Sequence, residues 1–223
     1  MTKTLFLTGA SSGIGAATAR AAAKAGWNIG LFARSEDKLK DLAAELGDQA
    51  LVLVGDATDY DAQKAALDKL ANHFGQVDAA FANAGRGTSP AGTENGDPQD
   101  WKAMVDLNIM GALYTAHAAM PHLRKTTGQY VVTGSAAGRV HIQGSIYGAT
   151  KWFIHGFAGN LADEMAEWGG RCMVVSPGMV DTAFFDEAKP DKLQPEDVAA
   201  AVMHALESPV RAAVREIHLM PTG

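Results

Sequence analysis

The sequence predicts an α/β fold: one doubly wound parallel sheet of about seven strands with helices on both faces. Three observations lead there. Short apolar runs alternate with longer helical patterns from end to end, the order expected of repeated strand–helix–strand crossovers. Several of the runs, such as NIGLFA at 28–33 and ALVLV at 50–54, are apolar at nearly every position, as strands covered on both faces must be. No Pro/Ser linker, low-complexity tract or block of like charge interrupts the alternation, so residues 1–223 are expected to form a single domain.

In chain order the strands are predicted over Thr4–Thr8, Asn28–Ala33, Ala50–Val54, Val77–Ala82, Tyr130–Thr133, Cys172–Ser176 and Glu216–Met220. Between them, apolar residues recur every three or four positions over Gly15–Ala25, Glu36–Leu46, Asp61–Phe74, Trp101–Leu123, Ile146–Trp168 and Glu196–Glu207, which is the period of a helix with one buried face. Helix starts are signposted by Ser35 before an acidic pair, by Thr58 with Asp61 three residues on as a capping box, and by Pro98 and Pro195, since a first helical turn tolerates a missing N–H. Right-handed crossovers then place every strand-to-helix junction at the carboxyl edge of the sheet, where such folds bind ligands.

Composition narrows the function. Lys and Arg number 19 against 25 Asp and Glu, a net charge of -6, so no nucleic-acid partner is expected. With 47% hydrophobic and 20% charged residues the chain is globular, and its apolar runs are too short to cross a bilayer. A lone Cys172 and an amino terminus without a signal-peptide pattern point to a reducing cytoplasm, with the thiol inert. His117 and His122 stand five apart, off the spacing of a helical metal pair, and no metal is expected.

The first junction reads TGASSGIG at 8–15, with Gly9, Gly13 and Gly15 spaced Gly-x-x-x-Gly-x-Gly. Glycines there allow a tight turn, let backbone approach a pyrophosphate, and aim the N–H groups of the following helix at it. Ser11 and Ser12 add hydroxyls. Immediately after the first strand, this spacing resembles the short-chain dehydrogenase/reductase family, whose fold is a single Rossmann-type sheet. The resemblance implies that Gly9, Ser11, Ser12, Gly13, Ile14 and Gly15 hold a dinucleotide. It extends to Asp56-Ala57 after the third strand, similar to the family's adenine-binding pair, and to Asn83-Ala84-Gly85 after the fourth, similar to its Asn-Asn-Ala-Gly, with Ala82 in place of the first Asn. At the end of the second strand no carboxylate stands at Ala33, and Arg34 follows. A guanidinium there can pair bidentately with a 2′-phosphate, so NADP is the preferred cofactor and NAD a possible one; the other role for Arg34 is a solvated cation at a helix start.

Two tyrosines have lysine four residues on, Tyr60 with Lys64 and Tyr147 with Lys151, a spacing that puts both side chains on one helix face. Only Tyr147 follows a strand ending in Ser-x-x-Gly, Ser135 to Gly138, similar to the family's catalytic turn. Twelve positions separate Ser135 from Tyr147, one fewer than is common in relatives, and Ser145 is a rival hydroxyl that also suits a helix cap. The resemblance implies Tyr147 as general acid and base, Ser135 as the group orienting the substrate oxygen, Lys151 on the cofactor ribose, and Asn108 as the helix asparagine that holds a water beside the lysine. The nearby ammonium, together with the positive nicotinamide ring of the oxidised cofactor, is expected to lower the Tyr147 phenol by about two to three pH units, which requires roughly 3–4 kcal/mol. Pro177, Gly178, Val180 and Thr182 resemble the turn that binds the nicotinamide carboxamide.

Substrate contacts are expected from Ser135, Tyr147, His141 and Met179, with a short lid at 183–194 and a second loop at 86–98. Met179, Phe184, Phe185 and Trp152 also suit core, lid or interface packing. Trp152, Phe153, Ile154 and Phe157 make the last long helix apolar on more than one face, so a homodimer or homotetramer is expected. The leading function is an NADP-dependent carbonyl reductase or alcohol dehydrogenase acting on a small or medium ketone or secondary alcohol. The alternative is an NADP-binding sensor or scaffold without turnover.

Overall fold

A computed structural model describes residues 2–87, 92–184 and 187–222. Seven strands, β1 Thr4–Thr8, β2 Asn28–Ala33, β3 Ala50–Val54, β4 Ala79–Ala82, β5 Gln129–Thr133, β6 Arg171–Pro177 and β7 Glu216–Leu219, form one sheet in the order β3-β2-β1-β4-β5-β6-β7. Every pairing is parallel. The chain winds outward from β1 to β3 and then restarts at β4 on the other side of β1, so the crevice between β1 and β4 is the switch point at which such sheets bind ligands.

Among the described residues seven α-helices cover the faces: α1 Gly13–Lys24, α2 Glu36–Leu46, α3 Tyr60–Phe74, α4 Pro98–Val105, α5 Ala112–Thr126, α6 Ile146–Ala166 and α7 Pro195–Leu206. Alternation along each strand sorts the core into two layers. Leu5 and Leu7 point toward α1, α2 and α7, where Ala19, Leu39 and Val202 are fully buried. Phe6 points the other way, onto Phe32, Leu67 and Leu70, in a layer completed by α5 and α6.

The helix predicted over Trp101–Leu123 is divided. α4 passes through one π-helical turn, Asp106–Gly111, before α5 begins. The wide turn contains Asn108, whose side chain is drawn toward the loop after β4, and such turns recur at functional sites. The predicted capping box is also displaced: Asp59, not Thr58, caps α3 by accepting from the Ala62 N–H at 3.0 Å. Thr58 is committed elsewhere, donating through both its N–H and its hydroxyl to Asp56 Oδ1 at 2.8 Å. Pro98 and Pro195 occupy first turns as expected, and Ser145 caps α6 by accepting from the Gly148 N–H at 2.9 Å. Ser35 makes no side-chain cap.

Candidate active site

A groove of about 650 Å³ runs along the carboxyl edge of the sheet from β3 past the switch point. Its floor is the first turn, Gly9, Ser11, Ser12, Gly13 and Ile14; Arg34 and Asp56-Ala57 stand at one end, Asn83, Ala84 and Gly85 along the side, and Thr182 at the other end. Gly9 has φ +67°, a region that only glycine enters without strain. Gly15 lies beneath the groove, where a Cβ would stand 2.1 Å from the Gly9 carbonyl oxygen. Gly15→Ala must therefore push the turn out of place, at about 1–3 kcal/mol in stability, and is expected to raise the dinucleotide Kd at least about tenfold. Thermal unfolding and fluorescence titration with NADPH check this, and wild-type values for both would refute it.

Asn83 fixes the walls of the groove. Its Nδ2 donates to the Thr8 carbonyl at 3.2 Å and the Gly9 carbonyl at 3.4 Å, and its Oδ1 accepts from the Thr133 hydroxyl at 3.2 Å. Thr8 Oγ1 in turn accepts from the N–H groups of Asn83 and Ala84, both at 3.1 Å. One amide thus ties β1, β4 and β5 together behind the crevice. Ser12 precedes α1 without a side-chain cap, so the first-turn N–H groups of that helix suit an anionic ligand. These features fit a dinucleotide diphosphate. At the far end Arg34 Nη1 stands 3.8 Å from Asp56 Oδ2, with the Arg34 side chain 78% exposed, a loose pairing that keeps the guanidinium at the groove mouth.

The groove joins a second, largely apolar cavity of about 610 Å³, and Ile14, Asn83, Gly85, Arg86, Thr182 and Phe184 border both. Ser135, Tyr147, Lys151, Pro177, Gly178, Met179 and Val180 line the second cavity. Ser135 and Lys151 are buried, and Lys151 Nζ donates to the Thr133 carbonyl at 2.8 Å while standing 5.7 Å from the Tyr147 ring centroid. Ser135 Oγ accepts from the Ala137 N–H at 3.1 Å. Asn108 is buried close by. Its Oδ1 accepts from the Arg86 N–H at 2.9 Å, and its Nδ2 donates to the Arg86 carbonyl at 2.9 Å and to Thr150 Oγ1 at 3.2 Å. The hydroxyl of Thr150 donates to the Tyr147 carbonyl at 2.8 Å. The Asn108 amide thus braces α6 against the loop after β4.

The electrostatics differ from the sequence-based expectation. Burial pushes the Tyr147 phenol above its ordinary 10, opposed by a hydrogen bond with Ser135. Burial lowers Lys151 to about 8. The ammonium donates to a backbone carbonyl while standing over the Tyr147 ring, and desolvation dominates the shift of both groups.

His141 is a second correction. It is exposed and stacks on Trp152 with ring centroids 5.6 Å apart, and it is not among the cavity-lining residues. Its neighbour Ile142 takes the expected place, together with Phe184, whose ring lies 5.5 Å from that of Tyr147. Met220 and Pro221 complete that apolar wall, and no motif singled them out. The signal available was positional: they follow the carboxyl end of a strand, and the Gly178 N–H donates to the Leu219 carbonyl at 2.7 Å, which draws that end over the cavity. Of the two predicted loops, residues 88–91 and residues 185 and 186, Phe185 among them, lie outside the described residues.

Elsewhere, burial raises the Cys172 thiol to about 12, which leaves it unreactive. His117 pairs with the Tyr60 hydroxyl at 2.9 Å and His122 with Asp68 at 3.1 Å, and among the described residues no three His, Cys, Asp or Glu side chains gather to hold a metal. Among the same residues no helix is long and apolar enough to cross a membrane.

A parallel sheet with a glycine turn at its switch point and a Ser, Tyr and Lys set beside it defines a dinucleotide-dependent oxidoreductase. Comparison with known proteins agrees. A family model described as short chain dehydrogenase matches residues 3–193. The chain is 36% identical over 228 residues to an uncharacterized oxidoreductase of Staphylococcus saprophyticus, covering 98% of this chain and 97% of that one. It is also 36% identical over 240 residues to sulfoacetaldehyde reductase 2 of Chromohalobacter salexigens, covering 100% and 95%. A solved structure of an alcohol dehydrogenase from the archaeon Thermococcus sibiricus, complexed with 5-hydroxy-NADP, superposes with a TM-score of 0.91 at 30% identity, covering 100% and 97%. The chain belongs to the short-chain dehydrogenase family and is an NAD(P)-dependent oxidoreductase.

Proposed function

We propose that this enzyme is an NADP-preferring carbonyl reductase or alcohol dehydrogenase that interconverts a small or medium ketone or aldehyde with its alcohol. The observation that carries the proposal is the placing of Ser135, Tyr147 and Lys151 on the wall of one apolar cavity that opens into the dinucleotide groove. Gly9 to Gly15, Asp56-Ala57 and Asn83 to Gly85 would hold the adenosine and diphosphate, with Lys151 on the ribose and Pro177 to Thr182 on the carboxamide. When bound, the nicotinamide supplies the hydride in reduction and accepts it in oxidation. Ser135 orients the substrate oxygen by hydrogen bonding and stabilises the negative charge that develops there. Tyr147 gives that oxygen its proton in reduction and takes it back in oxidation. The Lys151 ammonium compensates the phenolate left behind, and Asn108 holds α6 and the Arg86 loop in register. Ile142, Met179, Phe184 and Met220 give the substrate an apolar wall.

Residues 1–223 act as one domain. Segment 183–194 serves as a short lid, its base pinned by the Asp181 N–H donating to the Leu193 carbonyl at 2.7 Å. Half-exposed Trp152 and Phe153 on α6 favour a homodimer or homotetramer, and the protein is cytoplasmic. A non-catalytic sensor or scaffold is not favoured, since cofactor binding alone does not call for a lysine buried beside Tyr147.

Substrate class is tested by following NADPH absorbance over a panel of ketones, sugars and aldehydes, with sulfoacetaldehyde included because a relative is named for it. Failure of every member to oxidise NADPH would overturn the proposal. For the cofactor, Arg34→Ala is expected to raise the NADPH Kd about 10- to 100-fold, the scale of a charge-assisted hydrogen bond, with the NADH Kd unchanged. Equal preference in variant and wild type would show that Arg34 does not read the 2′-phosphate.

A further inference from the structure

His155 stands one turn beyond Lys151 on α6, so Tyr147, Lys151 and His155 share a helix face at intervals of four. Its Nε2 lies 3.2 Å from the Ser135 carbonyl oxygen and 3.2 Å from Ser176 Oγ. Ser135 lines the reaction cavity and opens the catalytic turn after β5, while Ser176, fully buried behind the cavity, immediately precedes the lining residues Pro177-Gly178 at the end of β6. On the other side of the ring, Nδ1 lies 3.6 Å from Glu216 Oε1 on β7. Arg139 pairs with the same carboxylate, its Nε donating to Oε1 at 2.8 Å.

The surrounding chain leaves room for this ring. A Cβ on Gly134 would stand 3.0 Å from His155 Nε2 and 2.6 Å from a Val174 methyl, and one on Gly138 would stand 2.7 Å from His155 Cδ2. Two glycines of the catalytic turn thus form a seat for the imidazole.

A carbonyl oxygen can only accept, so the contact with Ser135 requires the proton on Nε2. Burial holds the imidazole below its ordinary 6.5, opposed by the Ser135 carbonyl and reinforced by the positive charges of Arg139 and Lys151. Glu216 faces Nδ1 but is already paired with Arg139. At neutral pH the ring is therefore neutral, with Nε2–H toward the catalytic turn and an unprotonated Nδ1 toward β7.

We infer that His155 is a positioning residue for the reaction: its Nε2–H clamps the Ser135 turn beside the Ser176 end of β6, and so sets where the Ser135 hydroxyl meets the substrate oxygen. The inference rests on the reaction proposed above. It predicts a defect in kcat rather than in cofactor binding, because none of its contacts reaches the dinucleotide groove.

The test uses the full-length protein and the fastest substrate among cyclohexanone, benzaldehyde, ethyl acetoacetate and sulfoacetaldehyde. His155→Leu keeps bulk without a donor, and His155→Asn has a donor that falls short of Ser135. Both are expected to lower kcat about 10- to 100-fold, the scale of a misplaced catalytic group, with KM and the NADPH Kd within about threefold of wild type. His155→Gln can place an N–H where Nε2 stands and should recover kcat to within about fivefold. Nitrogen NMR of the wild type should show Nε2 protonated at pH 7. Wild-type kcat in the Leu variant, equal impairment of the Gln and Leu variants, or a proton on Nδ1 would each overturn the inference. Should the Leu variant fail to fold, the Gln and Asn pair decides. Tyr147→Phe is assayed alongside: normal turnover there would sink the proposed reaction itself, while the NMR result would still judge the His155 geometry.

Discussion

Replacing Tyr147 by Phe is expected to lower kcat about 10²- to 10⁴-fold, the usual contribution of a positioned general acid or base, while the NADPH Kd changes less than about threefold. The change removes one oxygen from a ring already packed 5.5 Å from Phe184, so the cavity keeps its shape and only the proton path is lost. Steady-state reduction kinetics and fluorescence titration separate the two effects. Turnover within tenfold of wild type would mean that the proton comes from another group, and Ser135 would be the next to test.

Lys151→Met should lower kcat at least about 100-fold and, at pH 7, make the protein more stable. The wild-type ammonium is buried and titrates near 8 instead of 10.5, which corresponds to roughly 3 kcal/mol of desolvation cost. The hydrogen bond to Thr133 offsets part of that, so the expected gain is about 1–2 kcal/mol, or about 2–6 °C in Tm for a chain of this size. The sign follows from proton counting. Below pH 8 folded and unfolded chains both carry the proton and the cost is fully present. Between about 8 and 10.5 the unfolded chain binds more protons, so wild-type stability rises with pH. The advantage of the Met variant should therefore shrink at pH 10. Thermal unfolding at pH 7 and pH 10 checks this, and a variant less stable than wild type at both would refute it.

The elements and motifs legible in the sequence were those controlled by neighbours along the chain. Tyr147 and Lys151 share a wall because residues four apart on a helix must, and Ser145 caps α6 because a cap is read within three residues. The glycine turn was legible for a similar reason: Gly9 and Gly15 answer to backbone geometry within one turn. His141 was misplaced because a loop side chain takes its direction from what it meets, here the indole of Trp152. Met220 and Pro221 reach the cavity through the pairing of β7 with β6, a contact between segments far apart in sequence. The bracing role of Asn108 and the π turn around it likewise depend on Arg86 and Thr150.

The sequence by itself determined the strand–helix alternation, the glycine turn after the first strand, the family and the sharing of one helix face by Tyr147 and Lys151, because each is written in local spacing and covalent order. Tertiary structure alone decided the direction of the Tyr147 shift, the apolar wall of the cavity and the seat of His155. Those depend on desolvation and on side chains meeting across strands. A phenol beside an ammonium is acidified in water-like surroundings, yet with the lysine buried and the ring partly buried in the cavity wall, the cost of removing charge from water sets the direction of both shifts.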